Sequence, residues 1–218
     1  DTKVFIFEVA NGKRIPLGAG QHVQICVSTK SEDNKPPERI VRKYTPIEIH
    51  DGRFEVLIKQ YEQGIVSRYI FNMKIGEKIF MRGPFGAFNY SPNKYKSIGM
   101  VAAGTGITPM YQIIREVVKN VEDGTKIKLL FANRSEEDIL LKSELDTMVG
   151  DNLEIKYLLS QPKTEVYTKG RINQDLIKEF AYPNTDAMML LCGPDAFCDL
   201  AKEILQSMNH SKSLLHTF

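Results

Sequence analysis

Ala103-Gly104-Thr105-Gly106-Ile107-Thr108-Pro109 stands between the apolar run 98–103 and a set of residues, Met110, Ile113, Ile114, Val117 and Val121, that share one face of a helix. A buried strand therefore runs into a helix through a turn of small residues. Glycines there let a backbone turn approach a phosphate or a flat ring closely, and the helix N-terminus favours negative charge. Pro109 suits the first helical turn, where its missing N–H would have no partner anyway. Such a turn also occurs in proteins that bind nothing. Its position at the first strand of an alternating half favours a nucleotide.

That alternation continues to the C-terminus. A strand is expected at 127–132, then a helix carrying Ile139, Leu141, Leu145 and Met148 behind a capping signal, Ser135 with Asp138. A strand at 153–159, a helix at 173–180, a strand at 188–192 and a helix at 194–208 complete it. The β-α-β-α order predicts a parallel sheet with helices on both faces, a Rossmann-like α/β domain. Cys192-Gly193-Pro194 ends a later strand of that sheet, and open α/β sheets place their ligands at such strand ends. Cys192 itself is open to two readings, a small buried hydrophobe or a neighbour of a nicotinamide ring.

Before residue 88 the pattern is different. Short strand-like runs at 4–9, 22–27, 41–48, 54–59 and 79–82 are separated by turn-formers such as Asn11-Gly12, Asp51-Gly52 and the longer stretch 31–37. They predict an antiparallel barrel or sandwich interrupted by one short helix after Gly64, where Val66, Tyr69, Ile70 and Met73 recur at helical intervals. Arg42 and Tyr44 are two apart on a strand and share a face, so a guanidinium can grip a diphosphate while a phenol packs on a flat heterocycle. A solvated edge strand would look the same. Gly64-Ile65-Val66-Ser67 opens the helix, where free N–H groups and the Ser67 hydroxyl either hold the same diphosphate or simply cap the helix. The boundary between the halves is expected in the loop-like stretch 88–96, giving domains 1–90 and 91–218.

Composition narrows the function classes. A net charge of +2 demands neither nucleic acid nor an acidic membrane as partner. Three cysteines, Cys26, Cys192 and Cys198, have no metal-ligand spacing, and their odd number suits a reducing compartment. No apolar run is long enough to span a bilayer. The chain opens on Asp1, which leaves room for an upstream anchor or domain.

Taken together, the motifs resemble those of the NADH-cytochrome b5 reductase family, within the ferredoxin reductase-like flavoproteins. Gly20-Gln21-His22, Arg42-Lys43-Tyr44-Thr45, Lys59-Gln60-Tyr61, Gly64 to Ser67, Arg82-Gly83-Pro84-Phe85-Gly86, Gly104 to Pro109, Phe131-Ala132-Asn133, Cys192-Gly193-Pro194 and Phe218 follow that family's order along almost the whole chain. The resemblance implies a six-stranded antiparallel FAD barrel joined to a nicotinamide domain. It also implies hydride transfer from NADH, or NADPH, to FAD and then single electrons to a haem protein such as cytochrome b5, with the nicotinamide lying against the flavin between the domains.

It implies residue roles as well. Arg42, Lys43, Tyr44, Thr45, Leu57, Tyr61, Ile65, Val66 and Ser67 would contact FAD. Thr45 and His22 would lie near the flavin's reactive nitrogen and relay its proton, although His22 also reads as a strand histidine satisfied in the core. Lys59 would orient the nicotinamide cofactor and Thr108 would touch the flavin. Gly104, Thr105, Gly106, Ser160, Cys192, Gly193, Pro194 and Phe218 would complete the cofactor contacts.

Three features depart from the family pattern. Lys43 stands where proline is usual, and Ile65-Val66 stands where Lys-Met is usual. Ser160 stands where NADH-selective members carry Asp, and with Lys163, Lys169 and Arg171 nearby it leaves room for NADPH. The expected protein is a monomer, cytoplasmic or held at the cytosolic face of a membrane through an upstream segment. Two other readings stay open: a reductase for a separate iron–sulfur partner, and a nucleotide-binding module without redox activity, which would not need the flavin contacts of the first half.

Overall fold

The computed structural model describes residues 1–28, 38–180, 182 and 186–218, and the expected long connection at 31–37 lies outside them. Two compact units emerge, 1–89 and 90–218.

The first unit is built from β1 (Thr2–Glu8), β2 (His22–Ser28), β3 (Arg39–Tyr44), β4 (Pro46–His50), β5 (Arg53–Lys59), helix α1 (Ile65–Asn72) and β6 (Met81–Phe85). All its pairings are antiparallel, and they form two three-stranded sheets, β1-β5-β4 and β3-β2-β6. Alternate residues of β2 and β5 (Val23, Ile25 and Val27; Phe54, Val56 and Ile58) meet Val66 and Ile70 of α1 in one apolar core. Full burial of a side chain such as Ile25, Ile58 or Ile70 contributes about 1.5–3 kcal/mol.

Two strand expectations need correction here. The run 41–48 is two strands in different sheets, because the chain changes sheet at Thr45 and Pro46 has no N–H to continue a ladder. The last strand is Met81–Phe85 rather than 79–82: β2 pairs with Met81, Arg82 and Phe85, while Phe80 is exposed.

The second unit holds β7 (Ser97–Ala103), α2 (Ile107–Lys119), β8 (Lys126–Asn133), α3 (Lys142–Met148), β9 (Leu153–Leu159), β10 (Thr168–Lys169), α4 (Gln174–Phe180), β11 (Met188–Cys192), α5 (Asp195–Ser207) and β12 (Leu215–Thr217). The six strands form one parallel sheet in the order β10-β9-β8-β7-β11-β12. Val101, Leu130, Leu158, Met189 and Leu191 face α4 and α5, whose Ile177, Phe180, Cys198, Ala201 and Leu205 close that core. Their strand neighbours Met100, Leu129 and Phe131 are fully buried on the opposite face, where α2 packs on β7 and α3 on α2.

The helix expected behind Ser135 starts later than its apolar spacing suggested. The capping box of Ser135 and Asp138 closes a one-turn 3-10 helix, Glu136–Asp138, and Leu141 at φ 56° breaks the path before Lys142. Two short outer strands, β10 and β12, carried no periodic signal of their own. Val121 lies beyond the end of α2 and is almost fully exposed. No helix among the described residues is long and apolar enough to cross a membrane.

Candidate functional sites

In the first unit the candidate flavin residues gather where β3 ends and α1 begins. Arg42 lies opposite Ile25 and Tyr44 opposite Val23, so both leave β3 on the core-facing side of its sheet. Tyr44 packs against the core, and burial pushes its phenol up to about 12. The Arg42 charge opposes that shift, and Tyr61 adds to it. Arg42 itself is exposed, with Nη1 donating to the Val41 carbonyl at 2.9 Å. Thr45, half-buried, sits at the corner where the chain changes sheet.

The turn into α1 is closed by Ser67. Its hydroxyl donates to the Gly64 carbonyl (3.1 Å) and accepts from the Tyr61 N–H (3.3 Å). A Cβ on Gly64 would fall 2.4 Å from Ser67 Oγ and 3.0 Å from Tyr61 Cβ, so a side chain there would displace the serine hydroxyl from the turn. The serine hydroxyl is thus already engaged, and the donors α1 can offer a ligand are its first backbone N–H groups. Val66 points into the core, where its side chain is out of a ligand's reach, whereas Ile65 and Tyr61 are about half exposed. Leu57 is buried, and Lys59 Nζ lies 3.5 Å from Asp1 Oδ2. Lys43 is exposed on the opposite face of β3 from Arg42.

His22 opens β2 opposite Phe85, its ring centroid 6.2 Å from the phenyl. Its Nε2 is buried without a hydrogen-bond partner. Burial first, and then the Lys43 charge, pull its pKa below 6.5, so the ring is neutral at pH 7.

In the second unit the candidate residues converge on the crevice where the strand order reverses. The chain runs from β7 outward through β8 to β9, then returns to the other side of β7 as β11. Open α/β sheets bind their ligands at the carboxyl ends on either side of such a reversal. Ala102 is in register with Cys192 there, and the two glycine turns touch. A Cβ on Gly106 would fall 2.2 Å from the Cys192 carbonyl oxygen, and one on Gly193 3.0 Å from Ala103 Cβ. Gly104 is different: it adopts φ +52° and has nothing within 4 Å of where a Cβ would stand. That side of the strand end is open to a ligand, a fit for a nucleotide approaching the start of α2.

Thr108 is buried and donates to the Thr105 carbonyl (3.2 Å), which tightens the first turn. Pro194 caps α5. Phe218 donates its N–H to the Leu191 carbonyl (3.1 Å) and sets its ring edge-on to His216 beside the end of β11. Ser160 lies further along the sheet, past the end of β9, with its N–H on the Asn133 carbonyl (3.1 Å).

A second feature at this edge lies, apart from Lys163, outside the candidate residues. The loops after β8 and β9 are zipped together: Gln161 N–H donates to the Arg134 carbonyl (2.7 Å) and Arg134 Nε to Gln161 Oε1 (2.9 Å). Glu136 Oε1 accepts from the N–H groups of Lys163 (2.7 Å) and Thr164 (3.1 Å) and from Thr164 Oγ1 (3.3 Å). Burial would raise the Glu136 carboxyl, but the backbone N–H groups of residues 136, 163 and 164 outweigh it and hold it below the usual range. Lys163 Nζ pairs with Glu137, whose carboxyl falls to about 2. Ser135 followed by three acids is the signal that the sequence offers, and its spacing reads as a helix cap. Asn133, at the end of β8, has both amide atoms buried without partners.

Comparison with known proteins covers both units. Residues 1–90 match the family model "Oxidoreductase FAD-binding domain", and residues 100–203 match "Oxidoreductase NAD-binding domain". The chain is 41% identical over 207 residues to NADH-cytochrome b5 reductase 1 of Candida albicans, covering 92% of this chain and 68% of that protein. It is 38% identical over 225 residues to NADH-cytochrome b5 reductase 1 of Dictyostelium discoideum, covering 100% of this chain and 77% of that one. Among solved structures, the cytochrome b5 reductase domain of Ulva prolifera nitrate reductase superposes with a TM-score of 0.91 at 28% identity, covering all of this chain and 91% of that one.

Proposed function

The chain belongs to the NADH-cytochrome b5 reductase family, and from that premise we propose that cytochrome b5, or a haem protein of similar surface, takes the electrons that this FAD-dependent oxidoreductase draws from NADH. The observation that best supports the nicotinamide half is the contact of the two glycine turns beside the strand reversal, with Gly104 left open. In the flavin half the support is the Arg42–Tyr44–Tyr61 group beside the start of α1.

FAD, when bound, supplies the exchange of one hydride for single electrons, and the protein supplies position, dryness and charge. Arg42 and the first N–H groups of α1 hold the diphosphate in this reading. Tyr44, neutral at any assay pH, packs on the flavin, with Tyr61, Leu57 and Ile65 around it. Val66 and Ser67 contribute backbone N–H groups, while Lys43, on the other face of β3, stays outside these contacts. Thr45 and the neutral His22 hold the proton beside the reacting ring, through His22 Nδ1 because Nε2 is sealed in the protein. Lys59 orients the nicotinamide.

In the second unit Gly104, Thr105 and Gly106 cradle the nucleotide, and Thr108 orders that turn. Cys192, Gly193, Pro194 and Phe218 wall the nicotinamide pocket, and Ser160 faces the adenosine ribose. Residues 1–90 and 91–218 act as the flavin and nicotinamide domains of a monomer working in the cytoplasm or at the cytosolic face of a membrane.

The test is direct. The purified holoprotein is expected to be yellow and to bleach anaerobically on addition of NADH, and reoxidation by cytochrome b5 is expected to restore the colour. Bleaching by NADH with no reoxidation by cytochrome b5 would redirect the acceptor, for instance to an iron–sulfur protein. On the nicotinamide side, Ser160→Asp is expected to lower NADPH turnover more than NADH turnover, and equal responses would remove Ser160 from the ribose.

A further inference from the structure

In a sheet wound from a central strand, the adenosine half of a dinucleotide extends from the first glycine turn towards the ends of neighbouring strands. An acid there favours a free 2′-hydroxyl, and a base accommodates a 2′-phosphate. Here the neighbours are β8 and β9, in register as Asn133 with Leu159. The loops after these strands carry two cations, Arg134 and Lys163, with Lys169 and Arg171 following at β10; of the loop pair, Lys163 is the one that an acid neutralises. Arg134 Nε is held by Gln161, and Lys163 Nζ by Glu137. Glu136 anchors the backbone of residues 163 and 164, so the lysine cannot swing away with its loop.

We propose that Glu137, pairing with Lys163 on a loop that Glu136 fixes, is a specificity-determining residue that disfavours a 2′-phosphorylated nicotinamide dinucleotide. The inference rests on the reading of this edge as the nucleotide site. It assigns selectivity for NADH over NADPH to an acid on the β8 loop, where Ser160 on the β9 loop supplies none. Both partners are exposed, with side-chain exposures of 68% for Lys163 and 61% for Glu137. Solvent and salt therefore screen the pair, and the effect is moderate.

The experiment uses the FAD-loaded protein and two probes, ADP and 2′,5′-ADP, with affinities measured by calorimetry at low and high salt. Glu137→Gln is expected to tighten 2′,5′-ADP by about three- to tenfold at low salt while ADP stays within about twofold, and the gain shrinks at high salt. Adding Lys163→Ala should erase the gain, because the freed lysine provides it. An unchanged 2′,5′-ADP affinity, or an equal change for both probes, overturns the assignment while leaving the nucleotide site intact. If the unmodified protein binds neither probe and NADH does not bleach its flavin, the nucleotide reading falls and the selectivity falls with it.

Discussion

The two units build their candidate sites from different material. In the second, the site is backbone: two glycine turns pressed together at the ends of parallel strands, with side chains kept out by contacts of 2.2 and 3.0 Å. In the first it is largely side chain: a guanidinium and two phenols at a strand end, beside the first N–H groups of the adjoining helix. Their charge differs as well. Residues 1–89 carry 14 Lys and Arg against 10 Asp and Glu, whereas residues 90–218 carry 15 against 17. A backbone site is inseparable from the fold around it, so substitutions there should damage stability and binding together. A side-chain site is detachable, and substitutions there should remove a ligand while leaving the fold.

The largest effect is expected at Gly106. A methyl group there meets the Cys192 carbonyl, main chain that cannot rotate away, so β7 and β11 must separate at their carboxyl ends. Gly106→Ala should cost about 2–3 kcal/mol, lower the melting temperature by about 4–10 °C and cut NADH-driven turnover by about 100-fold or more. Gly104→Ala provides the control within the same turn: open space but φ +52°, hence about 1 kcal/mol of backbone cost alone. Thermal melts and ferricyanide turnover check both. Gly106→Ala with a wild-type melt but lost turnover would break the comparison, since binding would then have separated from fold.

Arg42→Ala comes next and should behave in the opposite way. Its guanidinium is exposed and its recorded partner is the neighbouring Val41 carbonyl, so the fold does not depend on it. Losing a charge-assisted contact to a diphosphate should weaken FAD binding by about 10- to 100-fold, with the apoprotein melting as before. The flavin-to-protein ratio after gel filtration is the measurement. Undiminished flavin content would remove Arg42 from the site.

Ser67→Ala should fall between these behaviours and be smaller than either. The hydroxyl closes the 61–67 turn with two hydrogen bonds inside the protein, so its loss should cost about 1–2 kcal/mol and loosen FAD modestly through the turn. The sequence could not show this. It placed Ser67 at a helix start, but whether a hydroxyl there faces ligand or chain depends on the three-dimensional path of residues 61–64.

Legibility follows the same division. Gly104, Gly106 and Gly193 were readable because strand–turn–helix spacing marks the ligand edge of a parallel sheet, although the contacts that exclude a side chain at Gly106 and Gly193 join the two distant turns. The change of sheet at Thr45 had one signal, Pro46, which cannot donate to a ladder, but apolar residues continue on both sides of it and the sheet that each half joins is set by pairing. The tie from Glu136 to residues 163 and 164 was invisible, since it joins positions 27 and 28 residues apart through a loop with no periodic signal. Outer strands β10 and β12 were missed because two or three residues are too short to show a period.

The smallest effect is a slope, and it sharpens the comparison by asking which unit senses protons. His22 has its Nε2 sealed in the first unit without an acceptor, and burial lowers its pKa below 6.5, with the Lys43 charge adding to the shift. Between the folded-state pKa and the value of the unfolded chain, the unfolded state binds more protons, so stability rises with pH. The contribution of the neutral ring is therefore complete above pH 6.5 and is lost as pH falls through the folded-state value. Gln fills similar space and does not titrate, so His22→Gln should flatten the dependence of the urea midpoint on pH over that acidic window while leaving the midpoint above neutrality nearly unchanged. Bound FAD should steepen the wild-type slope by burying the imidazole further, and it should leave the His22→Gln slope alone. Identical slopes for the two proteins, with and without flavin, would mean that the imidazole is not buried at the flavin edge of the first unit, and that Thr45 must hold the proton without it.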